Sequence, residues 1–82
     1  MLADHITTAT LLAKRMMTET VLTSTLTPKE DEGEFPEDEF KGYTWKKTIS
    51  LVPIEVKLLE VRVAVLWKEG ERQEMVELVS YE

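Results

Sequence analysis

The sequence contains no cysteine and a single histidine, which removes several kinds of chemistry at once. Without cysteine the chain can form neither a disulfide framework nor a thiolate metal site. His5, beside Asp4 near the start of the chain, is expected to be solvated, because one histidine cannot build a His-rich zinc site. Three glycines give no glycine-rich phosphate loop, and no Ser-His-Asp arrangement is evident. We therefore expect no enzymatic activity, no cofactor and no metal.

Basic residues are also scarce, since ten Lys and Arg stand against sixteen Asp and Glu, a formal net charge of −6. Phosphate backbones and anionic lipid surfaces are bound mainly by clustered Lys and Arg, so we expect no nucleic-acid partner. No apolar run reaches the roughly 18 residues of a membrane span. At 82 residues the chain forms one domain, 1–82, whose single small core gives only marginal stability.

The first segment, from about residue 2 to 26, has the periodicity of an amphipathic helix. At about 100° per residue its apolar side chains fall on one face, with Leu12 at the margin and Thr20 in the centre. That predicted stripe consists of Leu2, Ile6, Ala9, Ala13, Met16 and Met17. Pro28 ends the helix. Because no capping residue precedes Leu2, we expect that an upstream part of the helix is missing.

Residues 29–41 concentrate seven of the sixteen acidic residues around one glycine and one proline. This composition predicts a solvated surface loop, with Phe35 and Phe40 anchoring it to the body. Seven carboxylates could supply the six to eight oxygens that calcium takes, so a calcium-binding module is an alternative function. The run is mostly Glu with a proline in its middle, which differs from the usual calcium loop. A charged, solvated loop is therefore preferred.

Alternating runs after this segment predict antiparallel strands at about residues 42–51, 55–67 and 72–81. A hairpin loop at residues 68–71, with Gly70 in it, joins the last two. The third run is apolar on both sides, which suggests a central or partner-covered strand. The inward side chains predicted for the first two are Tyr43, Trp45, Ile49 and Leu51, then Leu59, Val61, Val63, Val65 and Trp67.

Together these elements predict an α+β fold, in which one long N-terminal helix packs on a three- to four-stranded antiparallel sheet. Both tryptophans are in phase with apolar strand faces, so we expect core rings rather than ligand platforms. Leu11 and Leu22 lie opposite the core stripe of the helix, with Arg15 and Thr18 between them. This outer helix face, defined by those four residues, is the candidate site for binding a partner helix.

Four segments in order carry a resemblance: residues 9–19 (ATLLAKRMMTE), 42–45 (GYTW), 59–67 (LEVRVAVLW) and 77–81 (ELVSY). Their order and spacing cover most of the chain and resemble the minor pseudopilin I of bacterial type II secretion systems. In that family an amphipathic helix precedes an aromatic strand, a V-x-V-x-W strand and a closing strand that ends in tyrosine. The acidic insert of residues 30–39 is longer and more charged than the family pattern, so no role is carried over to it.

The resemblance implies a pilin-like structural subunit with no catalytic residues. Its N-terminal membrane helix, which we expect to be missing here, would anchor it in the bacterial inner membrane, with this domain in the periplasm. Its partners would be sister minor pseudopilins, J-type first and K-type second, at the tip of the pseudopilus that supports protein export. A minor type IV pilin has the same architecture and remains an alternative.

Overall fold

The computed structural model describes residues 2–22, 27–53 and 58–82. For residues 2–4 it describes the helical backbone only, and side chains are described from His5 onwards. Helix α1 (Leu2–Leu22) precedes four strands, and a short 3-10 turn, Asp38–Phe40, lies between the first two strands. The strands are β1 (Lys29–Glu34), β2 (Thr44–Leu51), β3 (Leu59–Glu69) and β4 (Arg72–Tyr81). They form one antiparallel sheet in the order β1-β2-β3-β4. The predicted α+β arrangement of one helix on an antiparallel sheet is confirmed, with four strands.

Helix α1 packs over β3 and β4 with the face that carries Ala9, Ala13 and Met16. Thr20, in the centre of the predicted stripe, is buried as well. The buried face is rotated towards Leu12, which lies in the core together with Phe35 and not at a margin. Ile6, predicted to be in the core, is instead about half exposed at the opposite margin. The side chain of Leu2 and the predicted last helical turn, residues 23–26, lie outside the described residues.

Strand β3 supplies the centre of the core, as its alternation predicts. Val61, Val63 and Val65 are fully buried, and the Trp67 ring is buried beside them. The strand runs from residue 59 to 69, which is later than the predicted range, and residues 55–57 of that range lie outside the described residues. Leu51, predicted to face inward, is exposed, because α1 covers β3 and β4 and not the end of β2.

The acidic segment is not a loop throughout, since its first half forms the edge strand β1. The register places Glu32 opposite Lys46 and Asp31 opposite Lys47. Directly opposite residues in an antiparallel pair have Cβ atoms about 4.5–5.5 Å apart, so oppositely charged pairs favour strand pairing. The loop prediction is therefore wrong for residues 29–34, because Lys46 and Lys47 offset the repulsion within the segment. Phe35 is buried in the core and Phe40 packs against it, as predicted.

The Trp45 ring packs over Gly33 of the neighbouring strand. The two residues are opposite each other in the β1–β2 register, and the indole Nε1 of Trp45 donates a hydrogen bond to the backbone oxygen of Glu34 at 3.3 Å. A Cβ atom on residue 33 would lie 2.9 Å from the Trp45 Cζ2 atom, closer than van der Waals contact allows. The half-buried ring thus covers the glycine. An aromatic ring in this position stabilises an edge strand at a residue that has no side chain of its own to pack.

Replacing Gly33 by valine should therefore lower the free energy of unfolding by about 1–3 kcal/mol, the usual cost of overpacking, although valine favours strands. Urea denaturation monitored by circular dichroism measures this loss. The same substitution in a Trp45→Leu background is the control, since the penalty should shrink when the ring is absent. A Gly33→Val protein as stable as the parent would show that the ring does not rest on residue 33.

Candidate functional site

The outer helix face presents its two leucines to solvent. Leu11 is 62% exposed and Leu22 is 77% exposed, and Thr18 between them is exposed too. Eleven residues of helix separate the leucines by about 16 Å along the axis, or three turns. Residues in this position cannot reach the sheet, because the opposite face of the helix is buried against β3 and β4. The two leucines and Thr18 form a free stripe that a neighbouring helix could pack against.

Arg15, the fourth residue of the predicted site, is engaged by this chain itself. Its Nη1 donates a hydrogen bond to Glu37 Oε2 at 2.7 Å, and its Nε lies 3.9 Å from Glu19 Oε1. The guanidinium carbon lies 5.7 Å from the centre of the Phe35 ring and 5.9 Å from that of Phe40. These distances are in the cation–π range. Arg15 therefore fastens the segment after β1 to the helix, at the side of the outer helix face.

The Arg15–Glu37 contact also shifts the ionisation of both groups. The hydrogen bond from Arg15 is the main reason that the pKa of the Glu37 carboxyl lies below its ordinary value. The same bond raises the pKa of the Arg15 guanidinium. Both groups remain charged at neutral pH, so the contact is an ion pair under ordinary conditions. The other carboxylate oxygen of Glu37, Oε1, is buried and has no hydrogen-bond partner.

His5 is not a free, solvated residue, which corrects the prediction. Its Nδ1 atom contacts the Glu69 carboxylate, and its ring meets the edge of Tyr43 with a centroid distance of 6.4 Å. The Glu69 carboxylate also accepts a hydrogen bond from Trp67 Nε1 at 3.0 Å. These two contacts, His5 first and Trp67 second, lower the pKa of Glu69. The cluster attaches the first turns of α1 to the end of β3.

The acidic residues of β1 do not converge on a common point. Strand geometry sends successive side chains to opposite faces, so Glu30 and Glu32 share one face and Asp31 takes the other. Among the described residues no group of three or more His, Asp and Glu side chains is placed to hold a metal ion. Calcium needs six to eight converging oxygens, and this alternation does not provide them.

Within residues 2–22, 27–53 and 58–82, no helix is long and apolar enough to cross a membrane.

Sequence reasoning missed two features of the surface. The engagement of Arg15 had a weak signal, namely a basic residue on the helix and aromatic residues flanking an acidic segment. The other feature is the position of β4: the prediction of a central strand is wrong, because β4 lies at the edge of the sheet, and the alternative of a partner-covered strand stays a prediction. Its apolar residues Met75, Val79 and Tyr81 point away from the helix and are exposed.

In comparisons with known proteins, no family model, no curated protein and no solved structure matches this chain.

Proposed function

We propose that this chain is a pilin-like structural subunit, the periplasmic domain of a minor pseudopilin of a type II secretion system. In this proposal it carries out no catalysis and takes no cofactor. It joins sister minor pseudopilins, J-type first and K-type second, at the tip of the pseudopilus and so supports protein export. The proposal includes the inner-membrane anchor that the sequence resemblance implies.

The observation that supports it most is the exposure of Leu11 and Leu22 on the outer helix face. Burial of each leucine on association would contribute about 1.5–3 kcal/mol, whereas leaving both in water stabilises nothing in a small domain. The helix itself is fixed on the sheet by Ala9, Ala13 and Met16. A rigid helix with a second apolar stripe facing outward suits a subunit that works by packing against neighbouring helices.

Two of the groups that could carry chemistry have structural partners, which favours assembly over catalysis. His5 is held by Glu69, and Arg15 is held by Glu37. Both contacts tie α1 to the rest of the chain at two separate points along the helix. Their evident role is to fix the orientation of the helix, which an assembling subunit requires because its neighbours recognise the position of the outer face.

The test is to replace both leucines by glutamate, as Leu11→Glu with Leu22→Glu, and to titrate the variant against purified J-type minor pseudopilin. We expect binding at least tenfold weaker by calorimetry, because a tenfold change needs only about 1.4 kcal/mol. The thermal midpoint of the variant alone should change little, since both positions are exposed.

The matched control changes the net charge by the same two units elsewhere, as Thr27→Glu with Lys41→Gln, at two exposed positions off the helix and off β4. This control should bind the J-type subunit as the parent does. Unchanged affinity of the leucine variant would place the interface on another surface. Absence of any binding between the parent chain and minor pseudopilins would overturn the proposed function itself.

A further inference from the structure

Strand β4 lies at one edge of the sheet, and its register with β3 shows which of its backbone groups are hydrogen-bonded to β3. Leu59 and Glu82 exchange two backbone hydrogen bonds, from Leu59 N to Glu82 O at 3.0 Å and from Glu82 N to Leu59 O at 2.9 Å. In antiparallel pairs, hydrogen-bonded and non-hydrogen-bonded positions alternate. Even-numbered residues of β4 therefore bond to β3, whereas odd-numbered residues point their N–H and C=O groups off the free edge.

Three of the five odd-numbered residues of β4 carry exposed apolar side chains, and the other two are Gln73 and Glu77. Met75 is 54% exposed, Val79 is 43% exposed and Tyr81 is 57% exposed. They lie on the sheet face opposite α1, next to Leu66 and Ala64 of β3 in the register. Free backbone groups and an apolar row thus coincide along one strand of ten residues. This combination is what strand addition uses, because the backbone supplies affinity and alternate side chains supply specificity.

The other edge of the sheet differs in kind. Strand β1 has the sequence KEDEGE, in which every residue except Gly33 is charged. Charged edge strands discourage pairing with another chain, and exposed apolar ones invite it. The contrast between the two edges indicates that pairing is blocked at β1 and permitted at β4.

Charge identifies the kind of strand that β4 could accept. Residues 71–82 contain four Glu and one Arg, and the whole chain carries a net charge of −6. Arg62, beside this row on β3, is already paired with Glu60 and Glu77. A second copy of this chain would bring a like-charged edge to the interface, which electrostatic complementarity disfavours. A basic strand would meet opposite charge.

We propose that β4 is a docking edge for an extended strand of another protein, one that alternates apolar with basic residues. The added strand pairs with the outward backbone groups of the odd-numbered residues and extends the sheet to a fifth strand. Its apolar side chains continue the row of Met75, Val79 and Tyr81. This surface is separate from the outer helix face, so the inference does not depend on the proposed function.

The probe is an acetylated, amidated peptide of nine residues that alternates lysine with valine, added to the intact chain. Hydrogen exchange followed by NMR should show at least tenfold slower exchange at the amides of Met75, Glu77 and Val79. The amides of Val76 and Leu78 already bond to β3, so the peptide should leave their exchange unchanged. A peptide with serine in place of valine keeps the charge and loses the apolar side chains, and it should give no protection.

Two variants separate the apolar row from the backbone. Met75→Thr with Val79→Thr keeps residues that favour strands and should weaken peptide binding at least tenfold. Val79→Pro removes one outward N–H and leaves the bonds to β3 in place, because proline is tolerated at that position of an edge strand. It should weaken binding similarly, and circular dichroism checks that each variant is folded. The Leu11→Glu, Leu22→Glu variant should bind the peptide as the parent does.

Three results would overturn the inference. Exchange at Met75, Glu77 and Val79 that does not respond to the lysine–valine peptide would show that the edge does not accept a strand. Equal protection by the serine peptide would reduce the effect to non-specific charge. Protection of the same amides in the chain alone, rising with its concentration, would assign the edge to a second copy rather than to another protein.

Discussion

Replacement of Ala13 by aspartate should lower the free energy of unfolding by about 3 kcal/mol or more, or leave most molecules unfolded. Ala13 has no exposed surface and lies in the core cluster with Val63 and Val65. A buried carboxylate without a partner costs several kcal/mol, whereas small domains have about 5–15 kcal/mol in total. Thermal and urea melts of parent and variant at neutral pH measure the difference.

Thr18→Asp is the matched control for Ala13→Asp, because it adds the same charge to the same helix at an exposed position. Its effect should stay within about 1 kcal/mol. The difference between parent and the Ala13→Asp variant should also narrow as the pH falls towards 4, since burial favours the neutral form of a carboxyl group. An Ala13→Asp protein that melts within a degree or two of the parent would mean that the buried face of the helix is wrongly assigned.

The sequence predicts the parts of this fold that depend on local periodicity. Val61, Val63 and Val65 alternate with Glu60, Arg62 and Ala64, and that pattern places one side of β3 in the core without reference to any other segment. The exposure of Leu11 and Leu22 follows in the same way from the helical period. Both predictions hold because burial of one apolar face contributes most of the stability of such elements.

The errors arise where a distant residue decides the outcome. Glu30 to Glu34 look like a solvated loop until the register brings Lys46 and Lys47 beside them. His5 looks free until Glu69, which is 64 residues away in the chain, is placed against it. Charge compensation of this kind depends on the tertiary pairing itself, so no local window contains it. The same reason hides the engagement of Arg15 by Glu37.

The candidate site is smaller in the structure than in the sequence prediction. The outer helix face reduces to the two leucines and Thr18, since the charged end of Arg15 points to the segment after β1. A basic residue on that face would have implied an acidic patch on the partner. With Arg15 paired, the partner in the proposed function would need an apolar helix face to match the two leucines.

The acidic segment is part of the folded body, because Phe35 anchors it in the core. Its ring is buried in the core cluster, it meets Phe40 edge-on with a centroid distance of 6.2 Å, and Arg15 lies over it. Removing the ring leaves a cavity in the core cluster, beside Phe40. It also removes the surface on which the Arg15 guanidinium rests.

Phe35→Ala should therefore lower the free energy of unfolding by about 3–5 kcal/mol, the range found for phenylalanine truncations in cores. Urea denaturation followed by circular dichroism measures this loss. Phe35→Leu keeps most of the apolar volume and should cost clearly less. The comparison tests whether Phe35 anchors this segment, because a segment that does not pack on the core would tolerate either substitution within about 0.5 kcal/mol. Near-parental stability of Phe35→Ala would show that Phe35 does not anchor the segment, against both the sequence prediction and the structure.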